Sequence, residues 1–275
     1  MSTPRTLVVP EGVEATRIET PRGSFAVHRA RPEAAQRGRL LLIPGWTGSK
    51  EDFTQLLPHL AAAGFDATAY DQRGQFETPA ADDDDFSLSG LAADAASIAD
   101  ALSERVHLLG HSFGGLVAQT ATVEHTDQWA SLSLLCTGPG GHGEADFARL
   151  NTMVEALDTT PMIEVCRRRT KNAKNPPEIQ DFVERKYVGT SAASLRAMTL
   201  HLMHAPDRVD EVAATGLPVW VGYGEHDNAW PIPTQDAMAA RLGAAPVMLP
   251  GLAHSPAVEG PEALAAAWLE FLLSR

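Results

Sequence analysis

The sequence predicts an α/β fold in which helices cover both faces of a mostly parallel sheet. Short apolar runs alternate with amphipathic helical segments, as strand–helix–strand crossovers require. One stretch, residues 138–207, is helical in pattern and interrupts the alternation. We therefore expect a single sheet domain, made of residues 1–137 and 208–275, with residues 138–207 inserted as a helical cap.

The elements of the first half follow from apolar runs and breaks. Strand-like runs at residues 15–20 and 24–30 flank Pro21, Arg22 and Gly23, which predicts a hairpin. Short continuous runs predict buried strands at residues 40–43, 65–70, 106–109 and 132–136. Helical spacing predicts helices at residues 51–63, 88–102 (with Ser87 as N-cap) and 113–124.

The elements of the second half resume after the insertion. Within the insertion, Pro161 and the pair Pro176-Pro177 break the helical pattern. Strands are predicted at residues 219–223 and 246–249, and a helix at 234–242. The last helix, residues 261–273, begins at Pro261, where a missing N–H costs nothing.

Composition excludes several classes of protein. The 275 residues carry a formal net charge of −13, which argues against binding to nucleic acid or to an anionic membrane surface. Cys136 and Cys166 are the two cysteines, too few for a disulfide framework. Neither a signal-peptide pattern nor an apolar run long enough to span a membrane is present. We expect a cytoplasmic protein without nucleic-acid or membrane partners.

A candidate nucleophile lies in the motif Gly110-His111-Ser112-Phe113-Gly114. A Gly-x-Ser-x-Gly sequence alone is weak evidence, but this one follows a predicted strand and opens a predicted helix. A sharp turn in that context exposes the serine hydroxyl, and the glycines let the backbones approach closely. The sequence therefore predicts Ser112 as a nucleophile.

A serine nucleophile needs a histidine to take its proton and a carboxylate to orient that histidine. Asp227 and His254 each follow a predicted strand, in the chain order serine, acid, histidine. Glu225 is a less favoured alternative acid. Asp71 also follows a strand, but a structural turn or an ion pair explains it better than catalysis.

Other histidines compete less well for the role of general base. His111 is adjacent to the serine and should point away from its hydroxyl, packed below the turn. His226 has the surroundings of a loop residue. His201 and His204 have a spacing suited to metal ligands, but nothing nearby completes a set, so no metal is expected.

Two backbone N–H groups are expected to hold the negative oxygen of the tetrahedral intermediate. One belongs to Phe113, the residue after the serine. The other is expected from the loop after the strand at residues 40–43, and we favour Trp46. The Trp46 indole is also a candidate for lining the acyl pocket.

With these motifs the chain resembles the α/β-hydrolase superfamily, in its esterase-like branch with a helical cap. The matching segments are residues 44–49, 71–74, 110–115, 222–230 and 251–259, in the family order. The resemblance implies an eight-stranded mostly parallel sheet, a Ser112–His254–Asp227 triad, a cap and no cofactor. Pro44-Gly45 departs from the usual His-Gly, which affects the loop more than the chemistry. Serine as nucleophile disfavours the epoxide hydrolases and haloalkane dehalogenases of the superfamily.

The expected activity is hydrolysis of a carboxylic ester, lactone or thioester of a small to medium acyl substrate through an acyl-enzyme on Ser112. A C–C bond hydrolase, a thioesterase and an acyltransferase share this triad and stay open. A non-catalytic ligand-binding member of the fold is the alternative from another class.

Three further patterns have simpler explanations. Residues 138–143 satisfy G-x-G-x-x-G, but no second strand follows, which favours a hinge into the cap. The acidic run 82–85 lacks the ligand spacing of a calcium loop and is expected to be a surface turn. A basic cluster is either a solvated helix face or a docking patch for an anionic substrate arm: Arg167, Arg168, Arg169, Lys171 and Lys174.

Overall fold

The computed structural model describes residues 3–81 and 83–274, and its centre is an eight-stranded sheet in the order β1-β2-β4-β3-β5-β6-β7-β8. The strands are β1 Val13–Thr20, β2 Gly23–Ala30, β3 Gly38–Ile43, β4 Phe65–Tyr70, β5 Val106–His111, β6 Trp129–Leu135, β7 Val219–Gly224 and β8 Pro246–Leu249. The β1–β2 and β2–β4 pairs are antiparallel, and the other pairs are parallel. The predicted fold class is confirmed.

Eleven α-helices connect or flank the strands in the part of the chain that is described. They are α1 Leu57–Ala62, α2 Leu88–Leu102, α3 Phe113–Glu124, α4 Phe147–Thr159, α5 Met162–Thr170, α6 Pro177–Gly189, α7 Ala192–His204, α8 Val209–Ala214, α9 Ile232–Arg241, α10 Pro256–Glu259 and α11 Pro261–Leu272. Ser87 caps α2 as predicted, since its side chain accepts a hydrogen bond from the Gly90 N–H.

Several predicted element boundaries were wrong by a few residues, and those of the helix at residues 51–63 and of the strand at residues 132–136 are among them. The helix predicted at residues 51–63 begins only at Leu57, after a short 3-10 turn at Lys50–Asp52. Pro58 has no N–H to donate to a carbonyl four residues earlier, which interrupts the α-helical hydrogen bonds there, and the α-helix covers six residues, Leu57–Ala62. Cys136, predicted as the end of a strand, lies beyond β6 with a φ of 50°.

The central strands are buried on both faces. Leu41, Leu108 and Leu134 point into the apolar layer formed with α2 and α3. Their chain neighbours Leu40, Leu109 and Leu135 point into the opposite layer, with α1 and α11. Such two-sided burial explains why these strands read as continuous apolar runs rather than alternating ones. Because β3, β5, β7 and β8 run in the same direction, their carboxyl ends lie at one edge of the sheet.

The insertion, residues 138–207, carries helices α4 to α7 between β6 and β7. Pro161 and Pro176 precede α5 and α6 as their N-cap residues, so the predicted breaks are confirmed. Apolar side chains of these helices form a cluster of their own, including Val165, Phe182 and Leu195. That the insertion acts as a separate cap domain stays a prediction. Among the described residues, none of the helices combines the length and the apolar character that a membrane span needs.

Candidate active site

Ser112 lies in the turn between β5 and α3 with a backbone conformation rare for an L-residue, φ 55° and ψ −122°. The turn is too tight for side chains on the flanking glycines. A Cβ on Gly110 would lie 2.3 Å from the Gly114 carbonyl oxygen, and a Cβ on Gly114 would lie 2.4 Å from that of Ile43. The glycine spacing of the motif is thus a steric requirement of this turn.

Three side chains from separate strand ends form a hydrogen-bonded relay. The Nε2 atom of His254 is 3.0 Å from Ser112 Oγ, and its Nδ1 atom is 2.7 Å from Asp227 Oδ1. Because an ionised carboxylate only accepts hydrogen bonds, Nδ1 carries the proton and Nε2 is free to accept from the serine. The structure brings together the three residues that the sequence predicted.

The Asp227 carboxylate is held on both oxygens. Oδ1 accepts from the Ala229 N–H at 3.0 Å, and Oδ2 accepts from Gln235 Nε2 at 2.8 Å. Burial alone raises the pKa of Asp227, but the hydrogen bonds from His254, Ala229 and Gln235 outweigh it and lower this pKa below its ordinary value. The carboxylate is therefore charged at neutral pH. Sequence reasoning missed Gln235, because only the packing of α9 shows what its amide contacts.

The loop after β3 lies directly beside the nucleophile. A Cβ on Gly45 would stand 3.2 Å from the Ser112 Cβ. Two glutamines that the sequence did not single out bind its carbonyl groups: Gln72 donates to the Pro44 oxygen at 3.0 Å and Gln75 to the Gly45 oxygen at 2.9 Å. These bonds hold the loop through its carbonyl oxygens.

The two predicted oxyanion donors lie on the two segments that meet at the serine, the start of α3 and the loop after β3. Phe113 is the first residue of α3, and Trp46 follows Gly45 in the loop after β3. Among the described residues, neither backbone N–H donates a hydrogen bond to a protein acceptor. Their role as oxyanion donors stays a prediction, and both groups are free for it.

His111 contacts the backbone of the proposed general base, His254. It is buried, and its Nε2 donates to the backbone carbonyl of His254 at 2.6 Å. Burial, together with the nearby His254 ring, lowers the pKa of His111 to about 3, so its ring is neutral. The predicted position below the turn agrees with this geometry. The contact with the His254 backbone was not foreseen.

The competing candidates lie elsewhere. Glu225 is exposed and accepts a hydrogen bond from the Gly251 N–H at 2.8 Å. His226 is exposed in a turn. His201 bonds the Phe86 carbonyl through Nε2 at 2.9 Å. Asp71 forms the predicted ion pair, with Lys50 Nζ at 3.0 Å.

One group of three potential metal-binding side chains occurs in the described part of the chain: His111, Cys136 and His254. Both ring nitrogens of His254 are engaged with Asp227 and Ser112, and Nε2 of His111 bonds a carbonyl group. A metal ion here would have to displace the relay. The residues fit a proton-transfer site better than a metal centre.

The remaining sequence motifs have structural roles. Gly138, Gly140 and Gly141 allow close packing: a Cβ on Gly138, for example, would lie 2.2 Å from the Trp230 ring. Asp84 bonds the Arg73 side chain, and Asp85 accepts from the Ser87 N–H. Asp82, from the same acidic run, lies outside the described residues. No calcium-type ligand set forms from Asp83, Asp84 and Asp85 in the described segment.

The insertion packs against the two predicted oxyanion residues. Thr199 on α7 accepts a hydrogen bond from the Trp46 indole at 3.0 Å, and the His201 ring stacks on Phe113. Ser112 itself is 8% exposed. That the insertion covers the nucleophile as a cap stays a prediction.

Comparison with known proteins agrees with this fold. The model of the alpha/beta hydrolase family matches residues 40–267, and the chain belongs to that family. Over 254 residues it is 25% identical to a pimeloyl-[acyl-carrier protein] methyl ester esterase of Neisseria meningitidis, covering 89% of this chain and 79% of that protein. It is 33% identical over 128 residues to a Variovorax paradoxus protein named for carbamate hydrolysis, covering 46% of this chain and about half of that protein, 48%.

Solved structures show the same fold at low sequence identity. An enol-lactonase from Burkholderia xenovorans superposes with a TM-score of 0.79 and 18% identity, covering 94% of this chain and all, 100%, of the other. A thermophilic esterase from Thermogutta terrifontis gives a TM-score of 0.76 and 22% identity, with 95% and 98% covered. These likenesses establish the architecture and leave the substrate to be argued from the site.

Proposed function

We propose that this chain is a serine hydrolase that cleaves a carboxylic ester through an acyl-enzyme on Ser112. The observation that carries the proposal is the continuous relay from Ser112 through His254 to Asp227, with both contacts within hydrogen-bond distance. A strained, positive-φ serine at a strand–helix turn adds to it, since this conformation exposes the hydroxyl to a bound carbonyl group.

In the proposed acylation step, Ser112 Oγ attacks the carbonyl carbon while Nε2 of His254 takes the hydroxyl proton. The resulting imidazolium is stabilised by the Asp227 carboxylate on its other side. The N–H groups of Trp46 and Phe113 donate to the tetrahedral oxyanion. Collapse of this intermediate breaks the ester C–O bond, and His254 returns the proton to the departing alcohol.

In the proposed deacylation step, water replaces the alcohol. His254 removes a proton from the water, which attacks the acyl carbon, and the second tetrahedral intermediate expels Ser112. The free acid leaves and the relay is restored. The low exposure of Ser112 supports a role for the insertion as a cap that limits how much water reaches this step.

The bond type is inferred from the relatives together with the site. The Neisseria relative is named as a methyl ester esterase, and the Burkholderia structure as an enol-lactonase. Esters, lactones and thioesters all present a carbonyl carbon with an oxygen or sulfur leaving group to the same relay. We take the carboxylic ester as the substrate class, and cleavage of a lactone or thioester would follow the same steps.

A direct test compares Ser112→Ala with Ser89→Ala, a change of an exposed serine on α2. With p-nitrophenyl acetate as substrate, we expect the Ser112 variant to lose kcat by several orders of magnitude, because among the described residues no other hydroxyl bonds His254. The Ser89 variant should keep the wild-type kcat. Full activity in Ser112→Ala would refute the acyl-enzyme. A wild-type protein that binds esters without turning them over would make it a ligand-binding member of the fold.

A further inference from the structure

His142 lies in the glycine-rich segment at the start of the insertion, and its side chain is only 5% exposed. The imidazole stacks on the indole of Trp230, with the ring centres 4.1 Å apart and the ring planes inclined by 20°. The backbone carbonyl of Ala229 is a hydrogen-bond neighbour of the same imidazole. His142 therefore contacts the segment that carries Asp227, residues 225–231, which we call the acid loop.

Ala229 and Trp230 are the part of the acid loop that surrounds the carboxylate. The Ala229 N–H donates to Asp227 Oδ1 at 3.0 Å. The Gln235 amide donates both to Asp227 Oδ2 at 2.8 Å and to the Trp230 carbonyl at 3.1 Å. A displacement of Ala229 or Trp230 would therefore disturb the donors to both oxygens of the carboxylate.

The backbone that carries His142 is itself held against the end of α7. The His142 N–H donates to the Leu202 carbonyl at 2.7 Å, and the Gly141 N–H donates to the Ala205 carbonyl at 3.0 Å. A Cβ on Gly141 would lie 2.8 Å from the Met203 carbonyl oxygen, so the two backbones are in close contact. The imidazole is thus presented to the acid loop from backbone that is hydrogen-bonded to a helix.

The charge state of His142 suits a supporting contact. Burial lowers its pKa below the ordinary value of 6.5, although the Asp146 carboxylate, 3.6 Å from Nδ1, acts to raise it. The ring is therefore neutral near pH 7, and a neutral imidazole still has one N–H to donate. Such a ring supports the acid loop without adding a second positive charge near the imidazolium that forms on His254.

We infer that His142 is a positioning residue, which holds the acid loop so that the Asp227 carboxylate stays aligned with His254. It acts through Asp227 and does not itself take part in proton transfer. The inference rests on the proposed function, because it concerns the same relay. Its consequence is that the insertion supplies a residue on which the alignment of the relay depends, and small misalignments in such a relay cost rate steeply.

The test measures the rate constant at which a fluorophosphonate labels Ser112, a single step that stays measurable in slow variants. In His142→Ala we expect a fall of about tenfold, because the acid loop loses the ring that packs against it. His142→Phe keeps a ring against Trp230 and loses only the donor, so its rate constant should fall by about threefold. His226→Ala, a change of the exposed histidine in the acid loop, should keep the wild-type value.

A second comparison asks whether the effect passes through Asp227. In an Asp227→Ala background the carboxylate is absent, so adding His142→Ala should slow labelling no further. A further loss of about tenfold there would show that His142 acts independently of the carboxylate, and would overturn the inference. A fall in His226→Ala as large as that in His142→Ala would overturn it too.

Thermal unfolding of each variant shows whether it folds, and His142→Phe decides the question if His142→Ala does not. Wild-type labelling in every His142 variant that folds would refute the positioning role alone. The proposed function is judged on the wild type: it fails if the wild type forms no adduct at Ser112. The two failures are therefore distinguishable in one set of measurements.

Discussion

The turn around Ser112 and the helical insertion above it are built in opposite ways. Around the serine, backbone fits against backbone so closely that Gly110 and Gly114 admit no side chain, and both oxygens of Asp227 are hydrogen-bonded. Near the start of the insertion, by contrast, a Cβ on Gly143 would meet no atom within 4 Å, and the Arg169 side chain on α5 is exposed. The difference indicates that the turn around Ser112 tolerates little change in side-chain volume, whereas these parts of the insertion have room for it.

The largest effect is expected from Asp227→Asn. An amide in place of the carboxylate favours the wrong tautomer of His254 and no longer stabilises its imidazolium, so kcat should fall by roughly 10⁴-fold, as in serine proteases. Glu225→Gln, on the same loop, is the matched control and should keep wild-type kcat. Steady-state kinetics on an activated ester measures both. Comparable losses in the two variants would mean that the relay is not the catalytic unit.

The steric difference between the regions predicts that two glycine substitutions lower the free energy of unfolding by different amounts. Gly114→Ala should lower the free energy of unfolding by about 3 kcal/mol, because the new Cβ meets backbone oxygens that cannot move aside. Gly143→Ala, near the start of the insertion, meets no atom within 4 Å and should cost about 2 kcal/mol, from backbone strain alone, because its φ of 75° and ψ of −176° lie in a region essentially restricted to glycine. Denaturant unfolding gives both values, and equal costs would remove the contrast.

The burial of His111 predicts that the free energy of unfolding depends on pH. Its pKa is about 3 in the folded chain against an ordinary value of 6.5, because burial penalises its charged form. Below pH 6.5 the unfolded chain therefore binds a proton that the folded chain does not, and stability falls as the pH falls towards 3. This loss amounts to about 3 kcal/mol near pH 4.

In His111→Gln this part of the pH dependence should vanish, since glutamine does not titrate. Unfolding free energies of the wild type and the variant, measured across this pH range, should converge on acidification. Curves that stay parallel would show that His111 does not titrate differently in the two states.

The smallest effect is expected from Tyr187→Phe on stability. Removing a buried hydroxyl that makes no hydrogen bond with the described residues should leave the free energy of unfolding unchanged or raise it by up to about 1 kcal/mol. Tyr223→Phe provides the contrast, because that hydroxyl donates to Asp236 at 2.5 Å and its loss should destabilise the fold. A clear destabilisation by Tyr187→Phe would show that the hydroxyl has a partner within the protein.

The same contrast explains how much of the molecule could be predicted from its sequence. The sheet, its helices and the residues Ser112, Asp227 and His254 could be predicted, because strand ends and tight turns require particular residue types at fixed spacing. No sequence pattern of this kind identifies Gln75 and Gln235. An amide side chain looks the same whether it faces solvent or holds a catalytic loop, and only tertiary packing decides which.

Two further features could not be predicted, the start of α1 and the difference between Arg167 and Arg169, and each has a physical reason. The start of α1 was wrong because helical spacing continues through residues that precede Pro58, although the missing N–H of this proline interrupts the α-helical hydrogen bonds. Within the basic cluster, sequence could not distinguish Arg167 from Arg169. Their charges are identical, and only the packing of α5 and α6 places one against Glu184 and the other over Trp46.

The central claim is that Ser112 is the residue that receives the acyl group. Labelling with a fluorophosphonate, followed by peptide mapping by mass spectrometry, tests it most directly because the reagent reacts with an activated serine. We expect one adduct, on the peptide that contains Ser112, and none in Ser112→Ala. An adduct on another residue, or labelling that persists in Ser112→Ala, would contradict the account.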